Sequence, residues 1–541
     1  MELMKWWGWG SEKKEYGLKK NKKLLSYIQD VLGLDLREYP KKTFENITLP
    51  DITVSKKIID ELKLLTNAST EKHDRLTHSM GKGYKDLVRI RNGDIRQAPD
   101  VVAYPETVEE VEKLLNYAKE KKLKIIPFGG GTSVVGGVET TCPGTICADM
   151  KKLDKVMSID TVSQTAHVQA GILGPDLEEK LTKAGFTLSH FPQSFEYSTL
   201  GGWIATRAAG QNSTKYGKIE DMVEALTMHY PGGKISTKTV PASASGSDIK
   251  QLLIGSEGLF GIITDAVIRL HPLPEHKHYS GFILKNFDEG ITTLREILQN
   301  EITPAVARLS DSEETRAMMK IGSSDKGIVN GLMKDAFKFY LKKRGYSGDE
   351  VCMLILGFEG PKDKVRFDFE TAKKIVRGAY LGTSPGKQWL KNRFELPYLR
   401  DDLLDLGILV DTLESATNWS NIPCLYAKTK QSMEDSIKSY GVKGFVQTHI
   451  SHVYREGASL YYTFVAKEVK GKEIEQWTEI KKAATDTIIS NGGTLSHHHG
   501  VGKDHAAWIE HEHGKKGVEI IKKLKECFDP DKVLNPGKMG I

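Results

Sequence analysis

The stretch Ile125–Gly137, "IIPFGGGTSVVGG", places five glycines among the nine residues Gly129–Gly137, directly behind a short apolar run. A buried strand that feeds so bare a backbone either turns tightly for architecture or lets peptide N–H groups approach a ligand that side chains would hold away. Two familiar nucleotide loops are excluded. The Rossmann fingerprint requires G-x-G-x-x-G opening a helix, but after Gly129 and Gly131 the sixth place is Val134, and "TSVVGG" has no helical period. A P-loop requires Gly-Lys-Ser/Thr, and no lysine follows these glycines. What remains is a turn whose successive N–H groups face inward as an anion nest, with Thr132 and Ser133 adding hydroxyl donors.

Outward from this loop the pattern is regular. Thr107 and Glu110 form a capping-box pair, and Val108, Val111, Leu114, Leu115 and Ala118 mark one helix face. Lys121 to Lys124 close that helix, and "KIIPF" reads as the strand feeding the glycines. Strand–helix alternation continues to "GIITDAVIRLHPLPEH", where Pro272 and Pro274 predict a boundary near residue 275. Residues 276–500, with strands such as "VCMLILGFEG" and "ASLYYTFVA", read as a second α/β domain. The turn-rich residues 501–541 are expected to pack back on the first unit, and residues 1–90 read as a helical accessory segment.

The bulk properties fit two or more globular domains. The chain has 541 residues, 39% hydrophobic and 27% charged, with a net charge of +6. No run of eighteen apolar residues predicts a membrane span, and the amino-terminal stretch lacks the apolar core of a secretory signal. Five cysteines in a chain of this size read as free thiols of a reducing compartment. The first 24 residues hold seven lysines against three glutamates, interleaved with Trp6, Trp7 and Trp9. That mixture suits a membrane surface, and equally the commoner case of a solvated segment anchored by buried rings. Nothing resembles a nucleic-acid module.

Two further stretches repeat the theme of the glycine loop. "HFPQSFEYSTLGGWIATRAAG" gathers small residues and hydroxyls, and "GSEGLFGIITDAVIRLHP" sets Gly255, Gly258 and Gly261 around a strand start. Three small-residue loops in one domain suit an extended ligand with a diphosphate at one end and a planar ring at the other. Together with "YGKIEDMV" and the terminal "FDPDKVLNPGK", these loops resemble the FAD-binding loops of the vanillyl-alcohol-oxidase superfamily, from about residue 90 to the end. The resemblance implies an α+β fold: a two-subdomain FAD-binding domain over residues 91–275 and an α/β cap over 276–500. It implies noncovalent FAD, with Pro127, Phe128, Gly129, Gly130, Gly131, Thr132 and Ser133 on the diphosphate. Gln193, Ser194, Phe195, Glu196, Tyr197, Ser198 and Thr199, with Thr206, Arg207, Ala208 and Ala209, would lie along the ribityl chain and ring. Glu257, Gly258, Leu259, Phe260, Gly261, Ile262 and Ile263 would lie near the adenine side.

FAD does not name a reaction. Dehydrogenases of 2-hydroxy acids in this superfamily carry His-x-Gly-Asp-Gly-Asn-x-His and a later Glu-His-Gly, which hold a divalent metal. The corresponding "THISHVYREGASLYYTF" and "SHHHGVGKDHAAW" lack the Gly-Asp-Gly-Asn element and replace the Glu by His, which argues against a hard-metal site. "KWWGWG", "AVARLSDS", "YLRDDLLDLGILVDTLESATNW", "SHVYREGASLYYTF" and "NGGTLSHHHGVGK" instead resemble the alkyldihydroxyacetonephosphate synthase family. That resemblance implies ether-lipid synthesis. The acyl chain of acyl-dihydroxyacetone phosphate is exchanged for a long-chain fatty alcohol without net redox change, with flavin N5 as a temporary covalent partner.

By the same likeness Tyr461 is the acid/base, with His497, His498 and His499 as the local groups to lower its pKa. Arg400 binds the phosphate, Arg308 lies near flavin and substrate, and His190 matches a functional position. Each has a plain alternative. One of Tyr461 and Tyr462 is expected to be core, Arg400 could be occupied by Asp401 or Asp402, and in an extended chain at most two of the three histidines face one site. Three contiguous histidines do not match usual zinc spacings, so no metal is expected. The likeness also implies a homodimer. The chain begins almost at "KWWGWG" with no peroxisomal address, an expectation of a protein in the cytoplasm or peripheral on a membrane.

Overall fold

Thr107 caps the helix Val108–Lys121, its hydroxyl oxygen accepting the Glu110 N–H at 3.2 Å. The reciprocal half of the box differs. The Glu110 carboxylate accepts instead from the Glu106 N–H at 3.1 Å and the Thr66 hydroxyl at 2.7 Å, tying the helix start to the preceding segment. The helix buries Val111, Leu114, Leu115 and Ala118, turns left-handed at Lys122 and delivers the chain to the strand Lys124–Phe128. In this computed structural model, which describes residues 4–34, 39–321, 343, 345–346 and 350–541, that strand is the edge of a four-stranded sheet. It pairs in parallel with Thr145–Asp149, which pairs in parallel with Val101–Tyr104; Asn67–Ser69 adds an antiparallel edge.

A second sheet of five antiparallel strands follows, in the order Val156–Asp160, Thr165–Gln169, Ile262–Arg269, Val223–Tyr230 and Gly233–Ser236. The carboxy-terminal segment closes on these two sheets. Ile125 donates to the Val533 carbonyl, Asn535 donates to the Ile125 carbonyl, and Lys525 Nζ reaches the Leu259 carbonyl at 2.8 Å.

The third sheet has seven strands, in the order Ala379–Tyr380, His276–Leu284, Cys352–Gly360, Val306–Ser310, Gly444–Val453, Gly457–Lys467 and Ile408–Asn418. Helices such as Ile422–Ser439 and Glu473–Ser490 cover one face, forming the largest apolar core with Tyr462, Phe464, Leu460 and Leu413. Because side chains alternate along a strand, the residues between these belong to the other face. Tyr462 is therefore the core member of the pair, and Tyr461 points away from the helices.

The tryptophans near the amino terminus are packing residues. Trp6 is buried with Ile47, Leu76, Met80 and Ile90, and Trp9 is buried edge-on to Tyr197 at 5.9 Å between ring centres. Trp7 is stacked under Lys41, Lys5 and Arg91. Trp6 and Trp9 thus spend their apolar area on the protein itself. Among the described residues no helix is long and apolar enough to cross a membrane, and all five cysteines are unpaired.

Candidate functional site

The glycine loop lines a cavity between the first two sheets. Its walls include Pro127, Phe128, Gly129, Ser133, Val135 and Gly137, and from the second sheet side Thr199, Gly201, Gly202, Ala205 and Thr206. Ser256, Glu257, Gly258, Gly261, Ile262, Ile263 and Asn535 complete it. The loop is bare for a steric reason. A Cβ on Gly130 would fall inside the Tyr197 carbonyl, one on Gly129 would strike the Thr199 hydroxyl, and Gly131 has φ +67. The N–H groups of Gly130, Gly131, Thr132 and Ser133 have no acceptor among the described residues.

Two more polar atoms on these walls, Ser256 Oγ and Asn535 Oδ1, are buried and unpartnered. Among the described residues no lysine or arginine lines the cavity, and the one carboxylate there, Glu257, accepts from the Val501 and Gly502 N–H groups at 2.6 and 2.7 Å. Unsatisfied donors around a cation-free cavity fit a diphosphate gripped by peptide amides, and the residues present therefore fit FAD.

The second part of the site is a row across the cap sheet. Register places Ser310 opposite His449, His449 opposite Tyr461 and Tyr461 opposite Glu414; by the same register Arg308 shares this face, the one away from the helices. The His449 ring stacks on Tyr461 at 4.8 Å, and Glu314 Oε1 lies 2.8 Å from Arg308 Nη2 and 3.0 Å from His449 Nδ1. Arg308 is thus ion-paired, as the plain alternative for an arginine anticipates, although its Nε has no partner.

Glu414 organises the histidine segment. Its carboxylate accepts the N–H groups of His497, His498 and His499 at 2.5, 3.0 and 2.8 Å and the Ser496 hydroxyl at 2.8 Å. The segment is a tight loop, not the extended chain that the alternation argument assumed. A few residues on, Glu257 holds the next N–H groups, so two carboxylates pin residues 496–502 between the cap sheet and the cofactor cavity. Against the upward push of burial, the imidazoles and N–H groups around Glu414 hold its carboxyl well below the usual range.

Two of the three histidine rings meet Tyr461, though for a reason other than strand alternation. His498 stacks at 5.9 Å and His499 meets it edge-on at 5.4 Å, while His497 turns to the Tyr454 hydroxyl at 2.6 Å. Ring nitrogens of His452, His497 and His498 converge within 4.8 Å of one another, with His452 Nδ1 2.6 Å from the Ser213 hydroxyl and His497 Nδ1 2.9 Å from His498 Nδ1.

The protonation states correct one expectation. Burial drives the three imidazoles down, His497 to about 3, so they are neutral at pH 7 and cannot act as cations on Tyr461. Burial pushes Tyr461 up to about 12, with Asp411 and Glu414 adding to the effect; its hydrogen bond to Thr412 at 3.0 Å and the Arg400 charge oppose it. Tyr461 is a phenol in this state, its hydroxyl donating to Thr412, with neutral imidazoles of His498 and His499 against its ring.

Arg400 lies on the helix Leu396–Leu404. Neither acidic neighbour occupies it: Asp401 accepts the Trp9 N–H at 2.8 Å, and Asp402 accepts the Leu18 N–H at 2.7 Å. Among the described residues no carboxylate lies within 4.0 Å of its guanidinium, and its buried Nε has no partner. Burial lowers its pKa, yet a guanidinium stays charged. A half-buried cation whose Nε is buried without a partner invites an anion. His190 is fully buried, with both ring nitrogens unpartnered beside Trp203 and its pKa driven down to about 3 by burial.

Several residues that the likeness assigns to the cofactor do other work in this structure. Gln193 donates to the Arg393 carbonyl, Phe195 stacks on Phe394, Glu196 pairs with Lys14, and the Arg207 guanidinium turns to Gln251. Leu259 and Phe260 are core, and Ser198 accepts from the Trp203 indole at 2.7 Å. Ser256 and Asn535 were missed as cavity residues, although "GSEGLFG" and "LNPGK" carry them. Glu414, His449, His452 and Glu314 were missed outright, since nothing short-range in the sequence pairs them with the site.

The nest, the cation-free cavity and the antiparallel cap define a flavoprotein of the FAD-linked oxidase architecture. Residues 99–238 match the family model for the FAD binding domain, and residues 273–539 match that of FAD linked oxidases, C-terminal domain. The alkyldihydroxyacetonephosphate synthase of Dictyostelium discoideum is 38% identical, over 93% of this chain and 84% of its own length. That of Trypanosoma brucei brucei is 33% identical over 99% and 92%. A solved structure of an alkyldihydroxyacetonephosphate synthase superposes with a TM-score of 0.85 at 33% identity, covering 99% of this chain and 97% of that one. This chain belongs to the alkyldihydroxyacetonephosphate synthase family, and it is an FAD enzyme.

Proposed function

We propose that this enzyme exchanges the acyl group of 1-acyl-dihydroxyacetone phosphate for a long-chain fatty alcohol, giving 1-alkyl-dihydroxyacetone phosphate and a fatty acid. The observation that carries the reading is Tyr461, stacked on His449 and His498 and met edge-on by His499, which belongs to a loop whose following N–H groups are held by the cavity carboxylate Glu257. In the net reaction the ester oxygen leaves the substrate carbon as carboxylate, the alcohol oxygen joins that carbon, and the alcohol proton is released. No electrons are gained or lost. FAD, when bound, supplies an electron-poor ring able to hold the substrate carbon between these two events.

The side chains divide the remaining work. Arg400 holds the phosphate dianion, for which a forked, permanently charged donor is suited. Tyr461 relays the proton of the carbon bearing the ester: its hydroxyl proton passes to His498 or His499, kept neutral by burial, as its oxygen takes the proton from carbon. Arg308, tethered by Glu314, keeps an unpartnered Nε for the ketone oxygen. His190 is a second unpartnered polar group for the substrate's polar end. FAD is read as noncovalent; among the described residues no His, Cys or Tyr lines the cavity. Both lipid substrates partition into bilayers, which supports an enzyme peripheral on a membrane or in the cytoplasm. The family likeness supports a homodimer.

Oxidation of a 2-hydroxy acid is the weaker reading. Arg400→Ala tests the phosphate site on which the favoured reading depends. The variant is expected to bind FAD normally, with KM for the phosphate substrate raised about 100-fold, the scale of losing a charge-assisted bidentate contact. An unchanged KM, measured with acyl-dihydroxyacetone phosphate at saturating alcohol, would remove Arg400 from the phosphate site.

A further inference from the structure

The segment Lys5–Leu18 lies against the helix that carries Arg400, and its contacts converge on the immediate neighbours of that arginine. The Trp9 N–H donates to Asp401 Oδ2 at 2.8 Å, Lys5 Nζ stands 3.8 Å from the same oxygen, and the Leu18 N–H donates to Asp402 at 2.7 Å. Two glycines let the backbone approach this closely. A Cβ on Gly8 would overlap the Asp401 carboxylate, and one on Gly10, at φ +75, would overlap the Tyr398 ring. Arg91 ties the two partners from beneath, donating to the Trp7 carbonyl at 3.0 Å and the Asp401 carbonyl at 3.2 Å.

The other side of the segment holds the flavin-binding half. The Ser11 N–H donates to the Tyr197 hydroxyl at 3.1 Å, and Lys14 pairs with Glu196 at 3.1 Å. Lys82 joins the segment to the glycine loop, its Nζ donating to the Lys5 carbonyl and its N–H to the Ser133 carbonyl, both at 2.7 Å. Among the described residues Arg400 itself has no ion-pair partner, so its aim is set by the helix it rides on. That helix is held to the cofactor loop through residues 5–18.

We propose that the segment Lys5–Leu18 positions Arg400 relative to the cofactor loop, and so sets affinity for the phosphate end of the substrate. This rests on the phosphate role of Arg400. A structural brace alone would make a different prediction: its loss would lower stability and FAD content and touch all kinetic constants together. A positioning segment acts on one KM, because a small displacement of a charged clamp weakens the contact it makes.

The test is Gly8→Ala, whose methyl group pushes on Asp401. The variant is expected to retain FAD and its KM for the fatty alcohol, while KM for acyl-dihydroxyacetone phosphate rises about tenfold. Asp401→Ala, which breaks the same contact without a clash, is expected to raise the same KM. In the double variant the methyl has nothing to strike, so its KM should equal that of Asp401→Ala alone. An unchanged phosphate-substrate KM in both single variants, additive effects in the double variant, or a parallel change in both KM values with loss of FAD would overturn the proposal. Arg400→Ala serves as the control. If it raises KM and Gly8→Ala does not, only the positioning role is lost; if it does not, the phosphate role falls as well.

Discussion

Gly130→Ala is expected to purify as a folded, colourless protein with less than about a tenth of the wild-type FAD. The added methyl would occupy the position of the Tyr197 carbonyl, in a loop whose backbone runs directly against that of Ser198. The loop can accommodate it only by moving away, which turns four free N–H groups out of register with the phosphates they would face. Each misdirected donor leaves a hydrogen bond to a charged group unmade, about 1.5–3 kcal/mol apiece. Two such losses exceed a 100-fold change in affinity, since about 1.4 kcal/mol is tenfold. The sheets behind the loop rest on Ile125, Ile146, Val101 and Leu534, none of which the methyl touches, so circular dichroism should be unchanged. Wild-type visible absorbance in this variant would mean that the cofactor is held elsewhere.

Tyr461→Phe is expected to keep FAD and fold but to lose about 10²–10⁴ in turnover, the range of a positioned acid/base. The substitution preserves the ring stacked on His449 and removes one hydroxyl, whose partner among the described residues is Thr412 at 3.0 Å. Losing that bond costs about 1 kcal/mol of stability, too little to unfold the cap. Tyr462→Phe is the matched control. Its hydroxyl bonds to the Leu425 carbonyl in the core on the opposite face, so it should affect stability by a similar amount and turnover hardly at all. Turnover of Tyr461→Phe within a few-fold of wild type would assign the proton to another group, and the neutral histidines would be the first candidates.

The cofactor half was readable from the chain because its chemistry is local. A nest needs consecutive N–H groups, so its glycines are consecutive too, and the strand that feeds them announces itself by composition. The cap half is built from register. Arg308, His449, Tyr461 and Glu414 come from four strands separated by up to 153 positions, and only the pairing of those strands reveals that they form one row. Glu414 reads in "DTLESATN" as an ordinary polar residue of a strand, whereas in space it collects three successive N–H groups. The histidine loop was misjudged for the same reason: its shape is dictated by two carboxylates, Glu414 and Glu257, that lie 82 to 245 positions away. Tryptophans among lysines were ambiguous because the composition of a lipid-facing segment and of a buried strap is alike.

The proposed reaction is a redox-neutral exchange performed by a flavoenzyme. Purified holoprotein, mixed anaerobically with acyl-dihydroxyacetone phosphate and labelled hexadecanol and no electron acceptor, should form labelled ether and an equal amount of free fatty acid, turnover after turnover, with the flavin still oxidised at the end. Flavin that bleaches once and stays reduced, with no labelled ether and turnover restored only by an added acceptor, would contradict it.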